Sequence, residues 1–420
     1  MGELANMIAG DPRLARPAQV AVPSLRVPNV TEIDFAALRA GRLRRMQESM
    51  RRHSVAIALF YNPANIRYVT GTDMMGVWSS STLERHCLLP AAGEPILFEY
   101  KTARHVSERL VKDVRPEVSW QMAGPASPEI ARGWAAMFKS VMSELGVAGE
   151  ALAVDKLDPF GLLALQAAGI RIVDAGPVYV QAREVKTAQE IELFAINGAI
   201  ADAMLAEFEG AIRPGVREFE LLAVLSATLL RLHGESVFAR LIASGRNTNP
   251  WMSEAHDKIV QPGDLVGVDT DANGFEGYVI DVSRTFLCGE HAQSGQKEAY
   301  RVAYDCLRGA VDLIRPGMTY AELARGVPAL PEAYRARRYS TMGHQAGLED
   351  EGPLIPYLYG EPDVPKQILD WEIKENSVYC LESYAGKEDA PYGVKLEEQV
   401  LITKQGAVRL STYPFEEKLL

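Results

Sequence analysis

The sequence predicts an α+β catalytic domain preceded by a smaller α/β domain, and three observations carry that prediction. At 420 residues the chain is long for a single domain. Up to about residue 180, short apolar runs of strand length alternate with helical stretches, the pattern of an α/β domain. From 181 onward the order is helix, helix, strands, helix, helix, strands, which reads as one α+β unit made of two similar halves. The expected division is therefore 1–180 and 181–420.

Residues 1 to about 30 are rich in Pro and Ala, lack periodicity, and read as an arm. Over 31–52 the apolar residues Phe35, Leu38, Leu43, Met46 and Met50 recur at helical intervals. Residues 54–61 (SVAIALFY) form a buried strand. Asn62-Pro63-Ala64-Asn65 reads as a loop, and 66–69 as the start of a second strand. Further strands are expected at 85–89 and 95–100, a helix over 128–145, and strands at 152–155 and 170–174. In the second domain a long helix spans 188–209, with Ile191, Leu193, Phe194, Ile196, Ile200, Met204 and Phe208 as its stripe, stopped by Pro214-Gly215. A second helix covers 218–233, then a strand-like stretch 237–243. A third helix runs over 295–314 and ends at Pro316-Gly317, and a fourth begins over 322–327.

Composition narrows the class. Hydrophobic content of 47% and charged content of 24% suit a soluble protein with a full core. A formal net charge of -11 argues against nucleic acid and anionic membrane surfaces as partners. Cys87, Cys288, Cys306 and Cys380 are scattered without CxxC spacing, so neither a disulfide framework nor a zinc knuckle is expected, and a reducing cytoplasm is the default compartment. No apolar run has signal-peptide or membrane-span character.

The chemistry gathers in residues 265–286, LVGVDTDANGFEGYVIDVSRTF. Residues 266–270 read as a strand, Asn273-Gly274 as a turn, and 278–282 as the returning strand. Alternation puts Asp269 and Asp271 on one face, and Asp281 can meet them from the other strand. Carboxylates converging in an apolar hairpin repel one another and resist desolvation, and hard divalent cations remove that conflict. Further candidates lie downstream. His344 is flanked by Gly343 and Gly347. Glu382 follows the apolar run 378–381. In the strand 394–402, Lys395, Glu397 and Gln399 share one face and Leu396, Glu398 and Val400 the other, so one of Glu397 and Glu398 faces the site.

The order Asp, Asp, His, Glu, Glu on strands after a helical entry resembles the creatinase/prolidase/methionine aminopeptidase superfamily, the pita-bread fold. Asn65 to Gly71 looks like that family's N-domain strand, Glu184-Val185-Lys186-Thr187 with Glu190-Ile191 like its inter-domain entry, and Gln261-Pro262-Gly263-Asp264 and Gly277-Tyr278 with Asp281 also fit. The resemblance covers about residues 35–410. It implies a pita-bread C-terminal domain, a creatinase-like α/β N-terminal domain, and a homodimer. It also implies two metal ions held by Asp269, Asp281, His344, Glu382 and Glu397, with Asp281 and Glu397 bridging. The family's last ligand is the first acid of a pair, which favours Glu397 over Glu398.

Three departures from the peptidases bear on activity. Asp271 stands where they keep a glycine, which adds a sixth ligand and favours iron, with nickel, manganese, zinc or cobalt as alternatives. The segment Asn249-Pro250-Trp251-Met252 lacks their histidine, and His256 is out of register. Seven residues after His344 stands Glu351, again not histidine. This combination resembles the metal-dependent dimethylsulfoniopropionate lyases built on the same fold. There an Asp six residues after the metal-binding His is the base, matched here by Asp350, and a tyrosine precedes that His, matched by Tyr339. The implied reaction is β-elimination to dimethyl sulfide and acrylate. A sulfonium suits aromatic faces, for which Trp251, Trp78 and Tyr384 are the candidates. A prolidase-like metallo-hydrolase is the alternative.

Overall fold

The computed structural model describes residues 25–74, 76, 83–358 and 364–420. Trp78 lies outside them. The chain separates into two compact units, with the division between Arg183 and Glu184; residues 25–33 group with the second unit.

The first unit is built on a six-stranded mixed sheet of order β4-β3-β2-β1-β5-β6, comprising β1 (Ile57–Phe60), β2 (His86–Pro90), β3 (Ile96–Glu99), β4 (Asp113–Pro116), β5 (Leu152–Val154) and β6 (Ile172–Asp174). Helix α1 (Phe35–Arg52) starts where the Asp34 side chain accepts the Ala37 N–H. Residues 63–70 form a helix, α2 (Pro63–Thr70), not the strand expected over 66–69. The reason is local. The Asn62 side chain accepts the Ala64 N–H, Pro63 occupies the first turn, and Gly71 at φ 74 supplies the left-handed terminator. Asp155, following β5, anchors this corner by accepting the Tyr61 and Asn62 N–H groups and the Asn65 side-chain amide at 2.8, 3.1 and 3.0 Å. Helices α3 (Ser127–Glu144) and α4 (Pro159–Ala167) complete the unit, and Trp120, Trp134 and Phe138 fill its core.

The second unit begins as α5 (Gly176–Glu184) ends. Helix α6 (Ala188–Ala211) opens with a capping box in which Thr187 and Glu190 satisfy each other's backbone N–H. Helix α7 (Glu218–Arg231) follows. The stretch expected as one strand over 237–243 is two short ones, β7 (Ser236–Val237) and β8 (Ile242–Ser244). The acidic hairpin is likewise broken. Its outer part pairs β9 (Leu265–Asp269) with β12 (Ser283–Leu287), alongside β8. Its inner part pairs β10 (Ala272–Asn273) with β11 (Val279–Ile280), alongside β7. The chain bends at Thr270 and at Asp271, whose φ is 31. The Thr270 hydroxyl spans the gap, accepting from the Val282 N–H at 2.9 Å and donating to the Ile280 carbonyl at 3.2 Å.

Helices α8 (Ser294–Leu313) and α9 (Tyr320–Gly326) lead to a five-stranded antiparallel sheet. Its order is β14 (Asp350–Ile355), β13 (Gly343–Ala346), β15 (Val378–Gly386), β16 (Gly393–Thr403), β17 (Gly406–Arg409). Leu381, Leu396 and Val400 pack with Tyr300, Ala303 and Leu307 of α8 in one buried apolar cluster. Strand alternation leaves the opposite face to the polar residues. The pita-bread α+β fold with its smaller α/β domain thus matches the expectation. The two halves differ, because the hairpin's bends split the first half into two three-stranded sheets. Among the described residues no helix is long and apolar enough to cross a membrane.

Candidate metal centre

The acidic hairpin is held from behind by α6. Asn197 accepts the Phe275 N–H at 2.7 Å and donates to the Phe275 carbonyl at 3.1 Å, clamping the turn. The Tyr278 hydroxyl donates to Glu190 at 2.9 Å, tying the returning strand to the capping box. The bend at Asp271 then turns its side chain toward Asp269 and Asp281. One carboxylate oxygen from each of these three lies within 4.8 Å of the others. The same limit groups Asp281 with His344, Cys380 and Glu397.

The five-stranded sheet supplies the second wall. Glu382 lies directly opposite Glu397 on β16, and His344 lies opposite Cys380. Glu382 was expected at a strand end, but β15 runs on to Gly386 and places it mid-strand. Strands β13 and β15 approach closely at Gly343, where a Cβ would meet the Cys380 carbonyl oxygen at 2.3 Å. His344 Nδ1 lies 2.9 Å from the Gln345 carbonyl. A carbonyl only accepts, so Nδ1 carries the proton and Nε2 faces the acids, 3.2 Å from Asp281. Glu398 points the other way, where Arg284 and Arg409 hold it at 2.8 and 2.7 Å. All six residues expected as ligands, Asp269, Asp271, Asp281, His344, Glu382 and Glu397, are thus brought to one place.

Electrostatics show how crowded the place is. Desolvation first, then the charges of Asp269 and Asp281, push Asp271 up to about 10. Burial pushes Glu382 up to about 7 and drives Glu397 far above the ordinary carboxylate range, with neighbouring acids adding to both shifts. Asp281 alone is held low: burial works against it, but its hydrogen bond and ion pair with His344 prevail. The same pair lifts His344 to about 10 despite its burial. Three carboxylate oxygens, Asp269 Oδ1, Glu382 Oε1 and Glu397 Oε1, are buried with no hydrogen-bond partner. Buried carboxylate oxygens without partners are costly, and divalent cations are the partners such a cluster can hold. The donor set, carboxylates plus one imidazole, suits divalent ions from magnesium-like to iron-like character.

Asp350 begins the edge strand β14 and its side chain is exposed to solvent. Its carboxyl is pushed up to about 7, by desolvation first and by the charge of Asp281 second. The like charges of Asp269 and Glu382 add to the same upward push. Tyr339 is half-buried, its ring centroid 4.7 Å from Lys395 Nζ. Burial and nearby carboxylates hold its hydroxyl well above the usual phenol range, so it keeps its proton. Trp251 is 7% exposed and packs in one cluster with Tyr384, Leu241 and Ala243, against which Tyr339 also rests. Tyr384 departs from its expected role. Its ring is fully enclosed and its hydroxyl lies 2.8 Å from the Thr248 carbonyl, so it packs beneath the site and presents no face to a ligand. His256 is exposed, and Glu351 is engaged with buried Lys186 at 2.9 Å.

Two residues of the centre were given no role by sequence. Lys395 is fully buried, with Asp269, Glu382 and Glu397 at 3.0, 2.8 and 2.9 Å. Burial alone would lower its pKa, but these acids hold the ammonium well above the ordinary lysine value. Alternation along β16 already set it beside Glu397, and that was the available signal. Cys380 faces the same space; burial, with Asp281 next, raises its thiol, so it stays protonated filler between His344 and Gln399.

Comparison with known proteins agrees with this architecture. The family model for metallopeptidase family M24 matches residues 192–404, and that for the creatinase/prolidase N-terminal domain matches 42–185. The chain is 29% identical over 416 residues to dimethylsulfoniopropionate lyase DddP of Roseovarius nubinhibens, covering 96% of this chain and 92% of that protein. It is 33% identical to the Xaa-Pro dipeptidase of Pyrococcus furiosus over 237 residues, covering 54% of this chain and 63% of the other. Among solved structures, a prolidase from Thermococcus sibiricus superposes with a TM-score of 0.73 at 22% identity, covering 91% of this chain and 98% of that one.

Proposed function

The chain belongs to metallopeptidase family M24, and from that premise we propose that it is a metal-dependent lyase cleaving dimethylsulfoniopropionate to dimethyl sulfide and acrylate. The observation that carries the reading is Asp350. It is an exposed carboxyl at the rim of the acid cluster, raised toward neutrality, six residues beyond His344. The segment Asn249-Pro250-Trp251-Met252 and position 351 lack the histidines of the peptidase pattern, and Glu351 is engaged with buried Lys186 at 2.9 Å. The likeness to the DddP relative spans the whole chain, whereas the dipeptidase likeness spans about half.

Bound divalent ions, with iron our first choice, would supply Lewis acidity toward the substrate carboxylate, held by Asp269, Asp271, Asp281, His344, Glu382 and Glu397. Asp350, deprotonated, takes the proton from the carbon next to that carboxylate. The electron pair left behind forms the carbon–carbon double bond as the carbon–sulfur bond breaks, and sulfur departs with its pair as neutral dimethyl sulfide. Tyr339 keeps its proton and orients the substrate as a hydrogen-bond donor. The excess of carboxylates draws in the sulfonium cation, and Trp251, against whose cluster Tyr339 rests, offers it an aromatic face. Elimination needs no attacking water, in keeping with the absent histidines.

The test is headspace dimethyl sulfide from purified, iron- or nickel-loaded protein given dimethylsulfoniopropionate. Sulfide release supports the reading. No sulfide, with release of amino acids from Xaa-Pro dipeptides instead, sinks it in favour of the hydrolase.

A further inference from the structure

Each of the three buried acids around Lys395 is split in the same way. Lys395 Nζ meets Asp269 Oδ2 at 3.0 Å, Glu382 Oε2 at 2.8 Å and Glu397 Oε2 at 2.9 Å. The partner oxygen of each, Asp269 Oδ1, Glu382 Oε1 and Glu397 Oε1, is buried and has no hydrogen-bond partner. A fourth contact completes the arrangement: Nζ lies 3.0 Å from Ser283 Oγ, which itself donates to Glu397 Oε2 at 2.8 Å. An ammonium has three N–H donors, and here Asp269, Glu382, Glu397 and Ser283 share them.

We infer that Lys395 is a positioning residue for the metal centre: it takes one oxygen from each of Asp269, Glu382 and Glu397 and thereby presents the other oxygen of each to the ions. The inference rests on the metal-centre reading above. The oxygens that Lys395 leaves untouched are the buried ones without a hydrogen-bond partner, so they are the ones open to a cation. A compact ammonium suits the task, because its donors point in three directions at acids arriving from three strands, β9, β15 and β16. The charge also matters. Six carboxylates (Asp269, Asp271, Asp281, Asp350, Glu382, Glu397) exceed the charge of two divalent ions, and Lys395 offsets part of the remainder from within. Residues that orient ligands from behind tune affinity by roughly 10–100-fold.

The test compares metal-free wild type with Lys395→Met, which keeps the length and loses the ammonium. Cobalt(II) is titrated against a chromophoric chelator, the absorption spectrum of the cobalt-loaded protein is recorded, and thermal unfolding is followed with and without metal. The expected result is a folded variant whose cobalt affinity falls by roughly 10–100-fold and whose spectrum changes as the carboxylates reorient. Unchanged affinity and spectrum overturn the inference. Tighter cobalt binding also overturns it, because it means the ammonium competes with the ions. Wild type that binds no cobalt overturns the metal reading itself. Should Lys395→Met fail to fold, Ser283→Ala removes one of the contacts to Nζ and to Glu397, and a fall in affinity of a few-fold is then the expected result. No fall refutes the inference.

Discussion

Glu397 and Glu398 are chain neighbours on opposite faces of β16, and neutralising each should have opposite consequences. Glu398 is fully buried and receives Arg284 at 2.8 Å and Arg409 at 2.7 Å. Breaking a buried pair by removing one partner costs ~3–5 kcal/mol. Two features bring this case to the low end of that range. Arg284 retains the carbonyls of Ser283, Glu397 and Tyr413 at 2.9, 2.7 and 2.8 Å, and Arg409 retains the Tyr413 carbonyl at 3.3 Å. Glu398→Gln should therefore destabilise the protein by about 3 kcal/mol, a fall in melting temperature of roughly 6–12 °C for a domain of this size. Its metal content per folded molecule should stay at the wild-type level. Glu397→Gln should do the reverse. Burial already holds the Glu397 carboxyl far above the ordinary carboxylate range, so the neutral amide gives up little there and the metal-free protein should melt no lower than wild type, while metal content drops. Differential scanning calorimetry on metal-free protein, with metal counted by plasma mass spectrometry, reads both quantities. If Glu398→Gln loses metal and keeps its melting temperature, the two faces have been assigned the wrong way round.

Asp350→Asn should lower dimethyl sulfide production by roughly 10²–10⁴-fold with metal content unchanged, and a variant that sheds its metal would show Asp350 to be a ligand instead of the base. Because the Asp350 carboxyl is raised and only its deprotonated form accepts a proton, activity should rise with pH along a limb lying above the ordinary carboxylate range; a profile already flat at pH 5 contradicts this. In the first unit, His86 is wholly buried against Phe98 and Tyr61, with neither ring nitrogen hydrogen-bonded, and burial lowers its pKa from 6.5 to about 3. The unfolded chain therefore takes up the proton first, and stability is lost as pH falls from 6.5 toward 3; the loss attributable to His86 between pH 7.5 and 5 is about 2 kcal/mol. Denaturant unfolding of His86→Phe should lack that share of the acid sensitivity, and equal losses in both proteins would disprove it. Finally, chelation should lower the melting temperature, by an amount equivalent to ~2.7 kcal/mol when the free ion had stood at a hundred times its dissociation constant.

The sequence made much of this legible, and the reasons are specific. The long helices carried strong apolar stripes and ended at Pro-Gly pairs. The candidate ligands could be gathered from the sequence because their types, order and flanking residues form a pattern spread along the chain. Alternation also narrowed β16 to one face. What stayed hidden depends on geometry that periodicity does not encode. The bend at Asp271 needs a positive φ, which aspartate tolerates and sequence does not announce. The pairing of Glu382 with Glu397 depends on the register of two strands. In α2, the β-branched and aromatic residues Ile66, Tyr68 and Val69 favoured a strand, while Asn62-Pro63 and Gly71 marked a helix at both ends. Punctuation outweighed propensity there, and the punctuation was available to be read. Lys395 was placed correctly but left without a role, because a lysine among acids reads as simple neutralisation until the individual oxygens are seen.

The assembly of the centre from distant strands has a consequence beyond chemistry. Asp269 and Glu397 lie 128 positions apart in the chain, so ions that grip both act as a reversible staple across most of the second unit. The unfolded chain cannot bring such a set together, and ions therefore favour the native state by mass action. Without them, the folded protein keeps buried carboxylate oxygens that have no partner and unfolds more often. Proteases remove chains that unfold often. Metal supply would then govern how much of this protein persists as well as how much of it is active, and scarcity of the ion would clear the idle protein.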